Sequence, residues 1–492
     1  MFDKYFKKIE NSKKSLIFFV ILFFVAVTLR NFIEPFSTKI GWKLDAITQW
    51  YLFYVSLVLA IILLFYFLTK EKLSKLTKII LPGFFILILA PIIDLIITGG
   101  YELDYLFPGH DNLLANYLSF CSFATKISLG LKIEVALVLF LSFFYFLYKT
   151  KNYLKSILGI FCLYSLIFLY GATPFVLNFF KIIGAGQEIM KNTYSGFFLF
   201  SIFILLGILF FLYSKKIFIA ILKNFRPLRQ VHYWLMVVLG TLLAGLRVNL
   251  SAYFFNFIFV IIAIIFIALF SIIVNDIEDI NIDKISNPDR PLVKKTISIS
   301  AYKKISWMFL FLALLYSIFA GPSIFFLLLI VIISYYVYSA PPLKLKRIPF
   351  FSKIVIGFNS LLLILVGYNL AGGNILTFPK SIALFVLISF TACANFIDIK
   401  DYKGDEKVGI KTLPGILGLE TSKKVIGSFF LITYILFPFL VNRIILLPMA
   451  IFLGTLLFIT INKKIYNEKT VFLIHLLSLA FLIIYFTFIP LI

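Results

Sequence analysis

The chain has 492 residues, 62% hydrophobic and only 14% charged, and its mean hydropathy of +1.05 excludes a soluble globular domain and a disordered one. The formal charge of +24 would point to nucleic acid in a soluble protein. Continuous apolar runs of about 20 residues, rather than alternating ones, predict instead an all-α polytopic transmembrane bundle and exclude a membrane β-barrel.

In chain order, hydropathy predicts about fifteen spans near 15–36, 48–69, 77–98, 131–149, 154–173, 195–213, 231–247, 252–274, 300–318, 322–338, 351–371, 380–398, 424–442, 445–461 and 470–490. The basic segment Met1 to Lys14 precedes the first span. Arg30, Asn31 and Glu34 follow its apolar core without a small-residue cleavage site, so it reads as a span rather than a signal peptide. With the N-terminus in the cytoplasm, loops on that side carry 36 of the 46 Lys and Arg. The charge excess is thus a topology signal with attraction to anionic lipid, and nucleic acid is not an expected partner. The expected location is the cytoplasmic membrane, with the C-terminus on the opposite side.

The first six spans, residues 1–224, form an expected N-terminal membrane domain. Arg30 and Glu34, four residues apart, predict a local ion pair. Asp94 reads either as a functional intramembrane acid or as a helix-end residue near the outer interface, and boundary error favours the second. Glu102, Asp104, His110 and Asp111 in the outer connection match no cation-binding spacing. Cys121, Cys162 and Cys393 lie far apart without a metal or disulfide framework, and His110, His232 and His475 have no ligand spacing.

Near Phe225-Arg226-Pro227-Leu228-Arg229 the chain changes character, and residues 225–492 are expected to form a second domain of about nine spans. Two of its inner loops are crowded with carboxylates. In the first, helical spacing puts Asn275, Asp279 and Asp283 on one face, with Asp276 beside them, before Pro288 and Pro291 end the helix. In the second, Asp398, Asp401 and Asp405 repeat the pattern. So much like charge at a helix end needs a cation, and hard carboxylate oxygens suit Mg²⁺ shared with substrate phosphates. Two such sites on one side could hold a diphosphate between two metal ions. Between them a loop reads Tyr338-Ser339-Ala340-Pro341-Pro342, then Lys344, Lys346 and Arg347, cations able to meet phosphate oxygens. Six aspartates and a diphosphate bring about nine negative charges, nearly balanced by two Mg²⁺ and some four basic side chains.

Asn275-Asp276-x-x-Asp279-x-x-x-Asp283 closing with Asn287-Pro288-Asp289-Arg290-Pro291, and Asp398-x-x-Asp401-x-x-x-Asp405 closing with Thr412-Leu413-Pro414, resemble the two signatures of the UbiA superfamily of membrane prenyltransferases. Arg226-Pro227 and the Tyr338 loop are also similar to family features. The resemblance covers roughly residues 225–492 and implies a nine-helix bundle with a cavity open to lipid. It further implies Mg²⁺-dependent transfer of an isoprenyl group from its diphosphate to a lipophilic acceptor, either a quinone precursor or a lipid of the glycerol phosphate type. Asn275, Asp276, Asp279 and Asp283 would then hold one Mg²⁺, and Asp398, Asp401 and Asp405 the other, these six aspartates being the catalytic set. Asn275, Arg290, Lys344, Lys346 and Arg347 would contact the diphosphate. Where some members have Tyr-x-x-x-Lys, Pro342 stands here and the nearest lysine is Lys344, so the basic contact is not assigned to one residue. A transporter with an acidic cation vestibule is the competing reading, and it requires charges deep inside the spans of the second block, which are almost absent.

Overall fold

The computed structural model describes residues 2–38, 44–99, 113–118, 127–179, 187–245, 250–348, 351–400, 402, 404 and 411–489. Asp401 and Asp405 lie outside the described residues, as do Glu102, Asp104, His110, Asp111 and Cys121. Every regular element among the described residues is helical, and the chain divides into two compact units, Met1–Lys215 and Lys216–Ile492. Fourteen helical segments are long and apolar enough to cross a membrane. The fifteenth expected span corresponds to the helix Pro227–Leu243, whose 17 residues rise about 25 Å. The chain is an integral, multi-pass membrane protein.

Unit 1 contains α1 (Phe2–Glu10), α2 (Leu16–Thr38), α3 (Leu44–Thr69), α4 (Leu73–Gly83), α5 (Leu89–Thr98), α6 (Leu113–Leu118), α7 (Leu129–Thr150), α8 (Tyr153–Gly171), α9 (Thr173–Phe179) and α10 (Gln187–Tyr213). Pro82 lies near the end of α4, and a 3₁₀ segment, Phe84–Ile88, carries the chain into α5, so one span is made of three pieces. Ser128 and Asn152 accept hydrogen bonds from the Leu131 and Lys155 amides and thereby start α7 and α8. The core joins Phe19, Phe23, Tyr54, Phe65, Phe84 and Phe146. At one end of this core, Lys149 Nζ binds Glu10 at 2.6 Å and Glu71 at 2.7 Å, and Tyr145 Oη donates to Glu10 at 2.8 Å, which ties α1 to α7.

Unit 2 contains α11 (Lys215–Asn224, beginning at the boundary), α12 (Pro227–Leu243), α13 (Leu250–Glu278), α14 (Ile280–Ser286), α15 (Ile299–Ala320), α16 (Pro322–Ser339), α17 (Phe351–Leu370), α18 (Lys380–Cys393), α19 (Leu413–Leu417), α20 (Leu419–Leu440), α21 (Leu447–Asn462) and α22 (Glu468–Phe488). Hydrocarbon gives apolar side chains no reason to leave it, so helices in lipid associate where their backbones approach closely. The α12–α17 contact shows this: a Cβ on Gly240 would lie 2.0 Å from the Ile364 carbonyl oxygen, and one on Gly367 would lie 1.8 Å from that of Val237. Between α17 and α18, a Cβ on Gly357 would meet Thr391 Oγ1 at 2.6 Å. These contacts bring the start of α17 and the end of α18 to one place in the unit.

Candidate active site

The first carboxylate motif sits where α13 passes into α14. Asp279 interrupts the regular helix, yet its amide donates to the Asn275 carbonyl at 2.9 Å, and the Asp283 amide donates to the Asp279 carbonyl at 2.8 Å. The helical step therefore continues across the junction, and Asn275, Asp279 and Asp283 follow one another at successive turns. Asn275 Oδ1 accepts from Ser339 Oγ at 3.1 Å and from Lys346 Nζ at 3.0 Å. Lys346 also binds Asp279 Oδ2 at 2.6 Å, and Asn287 Nδ2 donates to Asp283 Oδ1 at 3.1 Å. The remaining oxygens, Asp279 Oδ1 and Asp283 Oδ2, are buried and accept no hydrogen bond. Two orphaned carboxylate oxygens one helical turn apart, with hard oxygen donors only, fit a divalent cation such as Mg²⁺. Among the described residues no three His, Cys, Asp or Glu side chains are placed to hold a metal ion by themselves. Burial raises the pKa of Asp283, against the pull of Arg290 and the Asn287 hydrogen bond.

Asp276 takes a different place from the one its position beside these residues suggests. Its carboxylate is almost wholly buried, and Arg290 Nη1 at 2.7 Å, Asn224 Nδ2 at 2.6 Å and Tyr302 Oη at 3.1 Å bind both of its oxygens. Arg290 Nη1 donates as well to Asn224 Oδ1 at 2.9 Å, and its Nε lies 3.9 Å from Asp283 Oδ1. Asp276 and Arg290, expected as metal ligand and phosphate contact, thus bind each other in a network with Asn224 and Tyr302. Asn224 ends α11, a helix that carries no motif of its own, and only tertiary structure assigns it here.

The basic loop leaves α16 at Ser339 and turns through a 3₁₀ segment, Leu345–Arg347. Lys344, at a φ of 44°, begins that turn and binds Glu278 at 2.7 Å. The turn sends Lys346 back onto the first motif, while Arg347 is exposed. Lys344, Lys346 and Arg347 therefore have three distinct environments, and Lys346 alone of them contacts the expected ligand set.

The second motif is described through Asp398. A 3₁₀ segment, Ala394–Ile397, follows α18, and Asn395 Nδ2 donates back to the Thr391 and Ala392 carbonyls. Asp398 Oδ1 receives Lys353 Nζ at 2.5 Å, and both residues are buried. Lys353, in the first turn of α17, belongs to neither carboxylate motif nor to the basic loop, and only the fold brings it to Asp398. The charges of Asp398, Asp279, Arg229 and Arg226 all act on Tyr338, in the last turn of α16. Arg226, at the start of α12, has its pKa pushed down to about 10 by burial and then by the neighbouring Arg229 and Arg290 guanidiniums. Arg226 and Arg229 are both partly exposed, and Arg229 Nη2 lies 3.7 Å from Glu468 Oε1. The Arg226-Pro227-Leu228-Arg229 string was the available sequence signal for this pair.

The UbiA prenyltransferase family matches residues 233–471. Over these residues the chain is similar to the UbiA prenyltransferases. Digeranylgeranylglyceryl phosphate synthase of Methanobrevibacter smithii is 27% identical over 228 residues, 43% of this chain and 79% of that protein. The chloroplastic chlorophyll synthase of Avena sativa is 35% identical over 162 residues, 30% of this chain, and the alignment spans 42% of that relative's length. A UbiA homologue from Archaeoglobus fulgidus, solved bound to GPP and Mg²⁺, is 22% identical and aligns over 55% of this chain and 99% of its own, with a TM-score of 0.46. The family match leaves residues 1–232 outside it.

Proposed function

We propose that the C-terminal unit transfers a prenyl group from a prenyl diphosphate to a lipophilic acceptor in the bilayer, with Mg²⁺, and releases diphosphate. The observation that carries the reading is the pair of orphaned oxygens on Asp279 and Asp283 beside the ammonium of Lys346, in a unit similar to a family of prenyltransferases. Asn275, Asp279, Asp283 and Asp398 are the ligands in this reading, joined by Asp401 and Asp405, and Asp276 with Arg290 positions the first set. When bound, the cation neutralises oxygens of the leaving diphosphate.

The protein's own groups supply the rest. Lys346 fixes Asn275 and Asp279, and Lys353 fixes Asp398, so the carboxylates are held before substrate arrives. Arg226 and Arg229 attract the diphosphate, with Lys344 and Arg347 at its outer edge. The apolar bundle excludes water while the C1–O bond weakens toward an allylic cation, so that the acceptor rather than water captures it. The relatives' names differ in what is prenylated, and for this chain a lipophilic acceptor of the glycerol phosphate lipid or quinone precursor type is the class proposed. The signature loops are placed on the cytoplasmic face, where most of the basic residues gather.

The test is diphosphate release from farnesyl and geranylgeranyl diphosphate by the purified full chain with lipid extract, in Mg²⁺ or EDTA. Metal-dependent release that is lost in Asp279→Asn and Asp283→Asn, with the prenylated product identified by mass spectrometry, supports the proposal. No release from any donor by folded protein overturns it.

A further inference from the structure

Unit 1 contains a partly open, mainly apolar cavity of about 900 Å³ lined by α3, α4, α7, α8 and the 3₁₀ segment Phe84–Ile88, with Arg30 of α2 and residues of α10 at it as well. This is at the upper end of the ~300–1,000 Å³ range of small-molecule sites. Four charged groups gather at it or beside it: Arg30, Glu34, Asp94 and Glu134. Arg30 is engaged by Glu34, and its guanidinium lies 5.3 Å from the Trp50 ring and 5.2 Å from the Tyr54 ring. Asp94, buried within α5, accepts from the Gly130 amide at 2.8 Å. A Cβ on Gly130 would lie 2.3 Å from the Ala90 carbonyl oxygen, so glycine is what lets α5 and α7 close at this level.

One turn along α7 from Gly130, Glu134 lines the cavity and is 5% exposed. The Ala90 backbone contacts its carboxyl group, but Oε2 is buried and accepts no hydrogen bond. Leaving such an oxygen unsatisfied is costly, and intramembrane acids are retained where they serve a site. The guanidinium of Arg30 is engaged by Glu34, and the charges of Arg30, Glu34 and Asp94 all act on Glu134, so carboxyl groups outnumber the one cation here. An anionic head group would meet net repulsion here, whereas a hydrogen-bond donor would complete Glu134.

We propose that unit 1 binds in this cavity a lipophilic molecule whose head group donates a hydrogen bond to Glu134, a long-chain alcohol or amine rather than a fatty acid or phosphate ester. The chain occupies the aromatic and aliphatic lining between Trp50, Phe84, Val138 and Phe198. This inference rests on unit 1 alone and does not depend on the prenyl-transfer reading.

Trp50 supplies a direct readout, as one of four tryptophans in the chain and a cavity residue. The full chain in lipid nanodiscs at about pH 8, where a fatty acid is ionised, is titrated with ω-bromo alcohol, amine and carboxylic acid probes of equal chain length. The expected result is saturable quenching by the alcohol and the amine that disappears in Trp50→Phe, with the acid weaker by about tenfold or more. Val138→Phe, which fills the cavity without changing charge, abolishes the quenching. Glu134→Leu removes the head-group discrimination. Glu134→Gln, isosteric and still an acceptor, keeps alcohol binding but weakens that of the amine relative to the acid, and it serves as the measure if Glu134→Leu fails to fold. Equal quenching by all three probes, quenching unaffected by Val138→Phe, or none that depends on Trp50 would each overturn the proposal.

Discussion

The Lys353–Asp398 pair sets up a quantitative test, because both side chains are about nine-tenths buried and their charged atoms are 2.5 Å apart. Replacing Lys353 with Met removes the ammonium but keeps most of the stem volume, leaving Asp398 without its partner at the end of α18. Breaking a buried pair from one side costs about 3–5 kcal/mol, whereas replacing both partners with apolar groups of similar size is often neutral. Lys353→Met is therefore expected to lower unfolding stability by about 3–5 kcal/mol in metal-free protein, and Lys353→Met with Asp398→Leu to recover most of that loss. The assay is denaturant titration of the purified protein in detergent, followed by tryptophan fluorescence. If Asp398 also meets a bound cation, Mg²⁺ with a non-cleavable prenyl diphosphate analogue supplies the missing countercharge, and the single variant regains more stability than the native chain does. A single variant as stable as native, or a double variant no better than the single one, would refute the idea that Lys353 is there to balance Asp398.

Three further expectations follow from other contacts. Asn224→Ala removes hydrogen bonds to both Asp276 and Arg290 and should cost about 1.5–3 kcal/mol, read by the same titration, although Asn224 belongs to neither carboxylate motif. Gly367→Ala would put a methyl group 1.8 Å from the Val237 carbonyl, forcing α12 and α17 apart at a cost of about 1–3 kcal/mol, while Gly207→Ala, with open space around it, should leave thermal stability unchanged. Glu71 lies between two spans; burial alone would raise its pKa, but hydrogen bonds from Lys149, the Lys72 amide and Lys75 bring it from 4.5 down to about 2. Its stabilising contribution is thus complete above about pH 4.5 and lost as pH falls toward 2, so melting of the native chain should show an acid-dependent loss in that window that is smaller in Lys149→Met.

What the residues disclosed before folding follows from where the physics is local. Span positions were legible because hydrocarbon imposes one requirement on every stretch of about 20 residues, and each of the fifteen expected spans has a helix at its place. The common face of Asn275, Asp279 and Asp283 was legible for the same reason, since backbone hydrogen bonds carry the helical step through the α13–α14 junction. The charge partners were not. Arg290 reaches Asp276 across 14 residues, Lys346 reaches Asp279 across 67, and Lys353 reaches Asp398 across 45, so no helical spacing encodes these pairs. Glu134 is a single acid in a 22-residue apolar helix, and its significance comes from a cavity made by other helices.

The positive-inside bias adds a more general obstacle. A lysine that anchors a span and a lysine that neutralises a buried carboxylate occupy the same position, just beyond or within the first turn of an apolar run. Lys353 and Lys346 fit the anchoring pattern, yet their ammonium groups lie within 2.6 Å of aspartate oxygens, whereas Arg347, next to Lys346, is exposed. The distinction between them is burial with a partner, which the fold alone creates. In this protein the pattern of a topology anchor and the partner of a carboxylate therefore fall on the same residues, and removing Lys353 or Lys346 is expected to disturb first the carboxylates they hold.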